Sequence, residues 1–139
     1  MSEGINELQA RSMVLDDTEL GDIRIHEGVI ASLARRAALS VAGVSRLAGN
    51  ALVDNIAEIV GSRRMQSRNI TISLGEESNV GIEIKVVFKF GFNIPQTATA
   101  IQKAVINEVE NTTGMNVTHV HVLVHDIEDE ESAAEESEE

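Results

Sequence analysis

Residues 82 to 90, IEIKVVFKF, place Ile82, Ile84, Val86, Phe88 and Phe90 at every second position, with Glu83, Lys85, Val87 and Lys89 between them. A period of two belongs to a strand with one buried face. The next stretch, NIPQTATAIQKAVINEVENTTG, changes period. Asn93 is placed to cap a helix, and Pro95 sits in its first turn, where a missing N–H is harmless. Ile94, Ala98, Ile101, Val105 and Val109 then form one stripe, and Gly114 stands just past the end. MNVTHVHVLVHDI returns to period two, with Val120, Val122 and Val124 on one face. A strand, a helix and a strand with one apolar side each must lay helix on one face of a sheet.

The upstream half extends the pattern. In NITISLG, Ile70, Ile72 and Leu74 alternate with Thr71 and Ser73, and the polar turn EESN leads into the long strand. Two such runs read as an antiparallel hairpin. GDIRI, residues 21 to 25, is a short strand. HEGVIASLARRAALSVAGV is a helix with Val29, Ile30, Leu33, Ala34, Ala37 and Val41 on one face, and Gly43 ends it. Asn50 can cap a further helix carrying Leu52, Val53, Ile56, Ile59 and Val60, before the basic connection SRRMQSR. The expected fold is α+β: a two-layer sandwich with helices packed on one face of a small mixed sheet and the other face wet. One domain, residues 21–127, accounts for most of the 139 residues. Residues 1–20 read as a mobile N-terminal arm, with a short helix around INELQARSMVL.

Charge separates the tail from the domain. From Asp126 onward the chain has nine acids and no Lys or Arg, so of the net charge of −12 only −3 falls on residues 1–125. Residues 128–139 read as an acidic disordered tail. Such a tail weighs against binding nucleic acid or a bare anionic membrane. No apolar run is long enough to span a bilayer, and no export signal is visible. Without cysteine, thiolate nucleophiles and Cys-ligated zinc are excluded.

THVHVLVHD, residues 118–126, concentrates three of the four histidines. With the valines inward, His119, His121, Leu123 and His125 face outward. His121 and His125 would lie about 13 Å apart at the rise of a strand, too far for one ion. A zinc site needs three or four ligands. Glu83 is the nearest acid expected on that face, and Lys85 and Lys89 share it and repel cations. No metal site is therefore assigned. No glycine-rich phosphate loop and no Gly-x-Ser-x-Gly occurs, and no base has an evident nucleophile beside it. We expect no catalytic, cofactor-binding or metal residues, no cofactor and no enzyme.

An alternative class is an RNA-binding module. EIVGSRRMQSRNI begins like the glycine loop of a KH domain, with Arg64 in place of the second glycine. Arg63, Arg64 and Arg68 would contact phosphate. Stacking aromatics are scarce: three Phe, no Trp and no Tyr. Nucleic acid is therefore the less favoured partner.

GDIRIHEGVIASLARRAALSVAGV, then VGIEIKVVFKFGFNIPQTATAIQKAVINEVENTTGMNV, then VHVLV resemble the alkaline shock protein family of bacterial envelope-stress proteins, from about Gly21 to Ile127. The most telling parts are Val-Ala-Gly-Val, Phe-Gly-Phe-Asn-Ile-Pro and Thr-Gly-Met-Asn-Val. They are fold-making and carry no chemistry. The resemblance implies a small cytoplasmic α+β domain with no known catalytic centre. Members self-associate, and some are held at the membrane by an integral membrane partner. The expectation is a homo-oligomeric scaffold, peripheral at the inner face of the membrane through a partner and without inserting into the bilayer. Its contact face would be Glu83, Lys85, Val87, Lys89, His119, His121 and Leu123, with Val87 and Leu123 the apolar breaks in a polar surface.

Overall fold

The computed structural model describes residues 12–49 and 69–129. Its elements are β1 (Ser12–Thr18), β2 (Gly21–His26), α1 (Glu27–Leu39), β3 (Val44–Leu47), β4 (Ile70–Leu74), β5 (Asn79–Lys89), α2 (Ile94–Thr113) and β6 (Asn116–Glu128). The fold is the mixed α+β arrangement that the two periods require. The helix expected after Asn50 and the arginines 63, 64 and 68 lie outside the described residues, as does the chain after Asp129.

β5 is the centre of the main sheet. β6 runs parallel to it along its whole length, from Asn79 opposite Asn116 to Lys89 opposite Glu128. The other edge is shared. β4 pairs antiparallel with residues 80–84, and β3 pairs antiparallel with residues 86–88. Between the two, Lys85 donates its N–H to the Asn69 carbonyl (2.9 Å) and its carbonyl accepts from the Ala48 N–H (2.8 Å). In an antiparallel ladder one residue would make both bonds. Here Ala48 and Asn69 make one each, so β3 and β4 are two halves of a single strand line, interrupted by residues 49–68.

Both helices lie against the face of β5 that carries Val80, Ile82, Ile84, Val86 and Phe88. Ile30, Ala34, Ala37 and Ala38 of α1 and Ile101, Val105 and Val109 of α2 join them in one core, with Ile70, Val117 and Val120. The period-two and helical stripes read from the sequence meet there. α2 has the predicted ends: Asn93 Oδ1 accepts from the Gln96 N–H (2.9 Å), and Gly114, at φ 77°, donates its N–H to the Glu110 carbonyl (2.9 Å). α1 is capped by a residue that periodicity does not single out. His26 Nδ1 accepts from the Gly28 N–H (2.9 Å), the role usually played by Ser, Thr, Asp or Asn. The helix ends at Leu39, four residues before Gly43.

Three readings change. Residues 12–18 are no arm or helix: they form β1, which pairs antiparallel with β2 in a separate two-stranded sheet, with Met13, Leu15 and Ile25 packed toward the core. Phe90, expected to continue the buried alternation, lies past the end of β5 and is 77% exposed. Glu128, expected in the tail, is the last residue of β6 and is held by side chains of β3.

Candidate functional site

The outer face of the main sheet is built by the odd-numbered residues of β5 and their partners. Gly81 lies beside His119, Glu83 beside His121, Lys85 beside Leu123, Val87 beside Asp126 and Lys89 beside Glu128. Six of the seven residues predicted for a contact face, Glu83, Lys85, Lys89, His119, His121 and Leu123, are brought together on it at least partly accessible. Leu123 is 50% exposed.

Val87 is the correction. It points to this face as expected, but it is 1% exposed. Its cross-strand neighbour on β3 is Arg46, whose side chain reaches across β5 to Glu128. Nη2 donates to Oε2 (3.4 Å), Nε lies 3.4 Å from Oε1, and Ser45 Oγ donates to Oε1 (2.6 Å). The long apolar stem of an arginine covers what its charge bridges. Val87 therefore belongs to a small second core closed by β3 and the end of β6, and offers no contact surface. The pattern of alternation carried no sign of this cover, because Arg46 and Glu128 lie 82 positions apart in the chain.

The histidines are divided by bulges. The register of β6 shifts between Val117 and His119 and again between Val124 and Asp126. The second shift takes His125 out of the row that the sequence places it in, so His119 and His121 stand as a pair. Their rings stack, with centroids 4.4 Å apart and planes at 27°. Thr118 Oγ1 lies 3.2 Å from His119 Nδ1. His119 lies against Gly81, where a Cβ would overlap ring atoms Cε1 and Nε2. Among the described residues no group of three or more His, Asp or Glu side chains is placed to hold a metal ion.

At the edge of the sheet, the exposed flank of β6 is partly closed by side chains. Glu110 Oε2 accepts from the Val117 N–H (3.0 Å), Gln102 Nε2 donates to the Val120 carbonyl (2.9 Å), and Asp126 Oδ1 accepts from the Ile127 N–H (2.7 Å). Such caps blunt an edge against strand addition. A shallow pocket on α1, lined by Ser32, Arg35, Arg36, Leu39 and Ser40, contains neither a carboxylate nor an imidazole.

These features define a small α+β domain that presents surfaces. Residues 15–129 match the model of the alkaline shock protein 23 family, described as having a cell envelope-related function, and the chain belongs to that family. It is similar to an uncharacterized protein, YqhY, of Bacillus subtilis (strain 168), with 26% identity over 120 residues that cover 86% of this chain and 87% of that one. No solved structure gives a significant match. Among the described residues, no helix is long and apolar enough to cross a membrane.

Proposed function

We propose that this protein is a non-enzymatic scaffold of the cell envelope, which self-associates and binds a protein partner that holds it at the inner face of the membrane. The family match across residues 15–129 carries this reading, because it spans almost all of the described domain and brings the envelope-related function with it. The outer sheet face supports it. Lys85 lies beside the exposed Leu123, the Glu83 and His121 pair is next along the strands, and His119 and Lys89 stand further out on the same face, a mostly polar surface with one apolar contact.

Fractionation of native cells after mild crosslinking tests the reading. The protein should sediment with membranes, crosslinked to itself and to an integral membrane protein. Recovery in the soluble fraction with ribosomes or RNA would overturn it and turn attention to Arg63, Arg64 and Arg68.

A further inference from the structure

β6 is an edge strand, because β5 is the only described strand it pairs with. Lys85 turns its N–H and carbonyl toward Asn69 and Ala48. Backbone direction alternates along a strand, so Ile84 and Val86 turn theirs toward β6, where they lie opposite Val122 and Val124. In a parallel ladder a residue bonds to the neighbours of the one opposite it. Ile84 thus engages His121 and Leu123, and Val86 engages Leu123. The N–H groups of Val122 and Val124 and the Val122 carbonyl are left pointing away from the sheet.

On both sides of this stretch the outward groups are capped. Glu110 holds the Val117 N–H, Gln102 holds the Val120 carbonyl, and Asp126 holds the Ile127 N–H. Among the described residues nothing bonds to the groups in between. The edge is guarded at its ends and open in its middle. Open strand edges are where proteins accept a further strand.

The helix layer leaves room for one. α2 packs over β6, α1 packs over β3 and β4, and the helices pack on each other. Two packed helices need about 20 Å of sheet. The strand lines beneath them are β6, β5 and β3 with β4. At about 4.8 Å each, those lines supply roughly 14 Å. α2 therefore overhangs β6, which is how Gln102 and Glu110 reach backbone groups on its outer edge.

The neighbours also define what the added strand is made of. Residues 118–125 include no Asp, Glu, Lys or Arg. Val122 and Val124 are half-buried on the helix side, and Leu123 is exposed on the other. Uncharged β-branched residues make the best cross-strand pairs with such side chains. A second copy does not fit at this edge, because it would bring its own α2. With each α2 above its own β6, the two helices would stand about 5 Å apart, where packed helices need about 8–10 Å. Self-association through the outer sheet face is untouched by this limit.

We infer that the open edge of β6 at residues 122–124 is the docking site for an extended, uncharged, β-branched segment of a partner protein, which joins the sheet as a further strand beneath α2. The inference deepens the scaffold reading by giving the partner's chemistry, and it rests on that reading only for where the partner resides.

The test uses the full-length protein and a soluble synthetic peptide of alternating valine and threonine, with backbone amide exchange as the readout. The control is the same peptide with an N-methylated backbone, which keeps the side chains and cannot pair as a strand. Saturating peptide should slow exchange of the Val122 and Val124 amides about tenfold or more, and leave that of Leu123, already bonded to β5, unchanged. The N-methylated peptide should slow none of them. Val122→Pro removes an outward N–H and no ladder bond, a change that edge strands accept. It should weaken peptide binding about tenfold or worse.

Absence of binding overturns the proposal, because an edge already covered by the chain itself takes no strand. So does equal protection by the N-methylated peptide. Protection of these amides that grows with protein concentration alone would assign the edge to a second copy, and overturns it as well. Exchange is read on the native protein, so the result stands even if Val122→Pro does not fold. In cells, a folded Val122→Pro variant that keeps its crosslink to an integral membrane protein refutes this edge and leaves the scaffold reading in place. A native protein recovered with ribosomes refutes that reading and leaves the edge to the peptide result.

Discussion

The imidazole of His119 lies over Gly81 on the neighbouring strand so closely that a β-carbon at position 81 would overlap ring atoms Cε1 and Nε2. Any side chain at 81 has to displace that ring. The same ring stacks on His121, so a single missing methyl group sets the arrangement of the histidine pair.

Gly81→Ala must push the ring of His119 away from His121. Because His119 is exposed, its ring can swing outward, so the native protein loses no more than about 1 kcal/mol. In a His119→Ala background the same change meets no ring, and it should stabilise the strand by roughly 0.5 to 1 kcal/mol through the reduced freedom of the unfolded chain. Urea unfolding of the four proteins in this cycle measures the difference. A Gly81→Ala effect of the same sign and size in both backgrounds would refute the packing argument.

Val87 and Leu123 occupy one face and should behave oppositely. Val87→Ala should cost about 2 kcal/mol, as for a buried aliphatic truncation. Val87→Lys should cost more, because it places an ammonium group under the Arg46–Glu128 bridge. Leu123→Lys should change stability by less than about 0.5 kcal/mol, as an exposed substitution does, yet reduce the mass of the protein in solution. Denaturant melts together with light scattering separate the two effects. An unchanged mass for Leu123→Lys at high protein concentration would remove this face from the self-association surface.

The main layers were legible because each depends on local periodicity. Val80 to Phe88, Ile101 to Val109 and Val117 to Val124 have one apolar side, and the signals at Asn93 and Gly114 are short-range. The misread features depend on distant partners. Val87 is covered by Arg46 of β3, which reaches Glu128 at the end of β6. Residues 12–18 gain strand structure only by pairing with 21–26, and Phe90 looks like a sixth core position until β5 stops at Lys89. The bulge at His125 left no mark in an alternation that still reads as regular.

Gly43 and Gly114 both have positive φ, 99° and 77°, but only one is crowded. Gly114 has open space where a β-carbon would go, so Gly114→Ala should cost about 1 kcal/mol from the left-handed backbone alone. At Gly43 a β-carbon would also lie 2.7 Å from Cδ2 of Phe92 and 3.2 Å from Cγ2 of Thr97. Gly43→Ala should therefore lower the melting temperature further than Gly114→Ala, and Phe92→Ala should return part of the loss when combined with it. Equal shifts for the two glycines would mean that Phe92 does not hold this turn.

Lys85 connects the two ends of an insertion. Its carbonyl accepts from Ala48 and its N–H donates to Asn69, so the chain leaves the sheet and returns to it at one residue of β5. On either side of those ends, β3 and β4 are hydrogen-bonded to β5 by their own residues. Replacing residues 50–68 with a short Gly/Ser linker should keep the amide spectrum of the remaining domain. Shortening a closed loop about fourfold lowers its closure entropy, so stability should be unchanged or higher by about 1 kcal/mol. A variant that fails to fold would show that the excised residues contribute contacts the sheet depends on. A folded variant that no longer sediments with membranes would place part of the partner surface in the insertion, since the outer sheet face would remain.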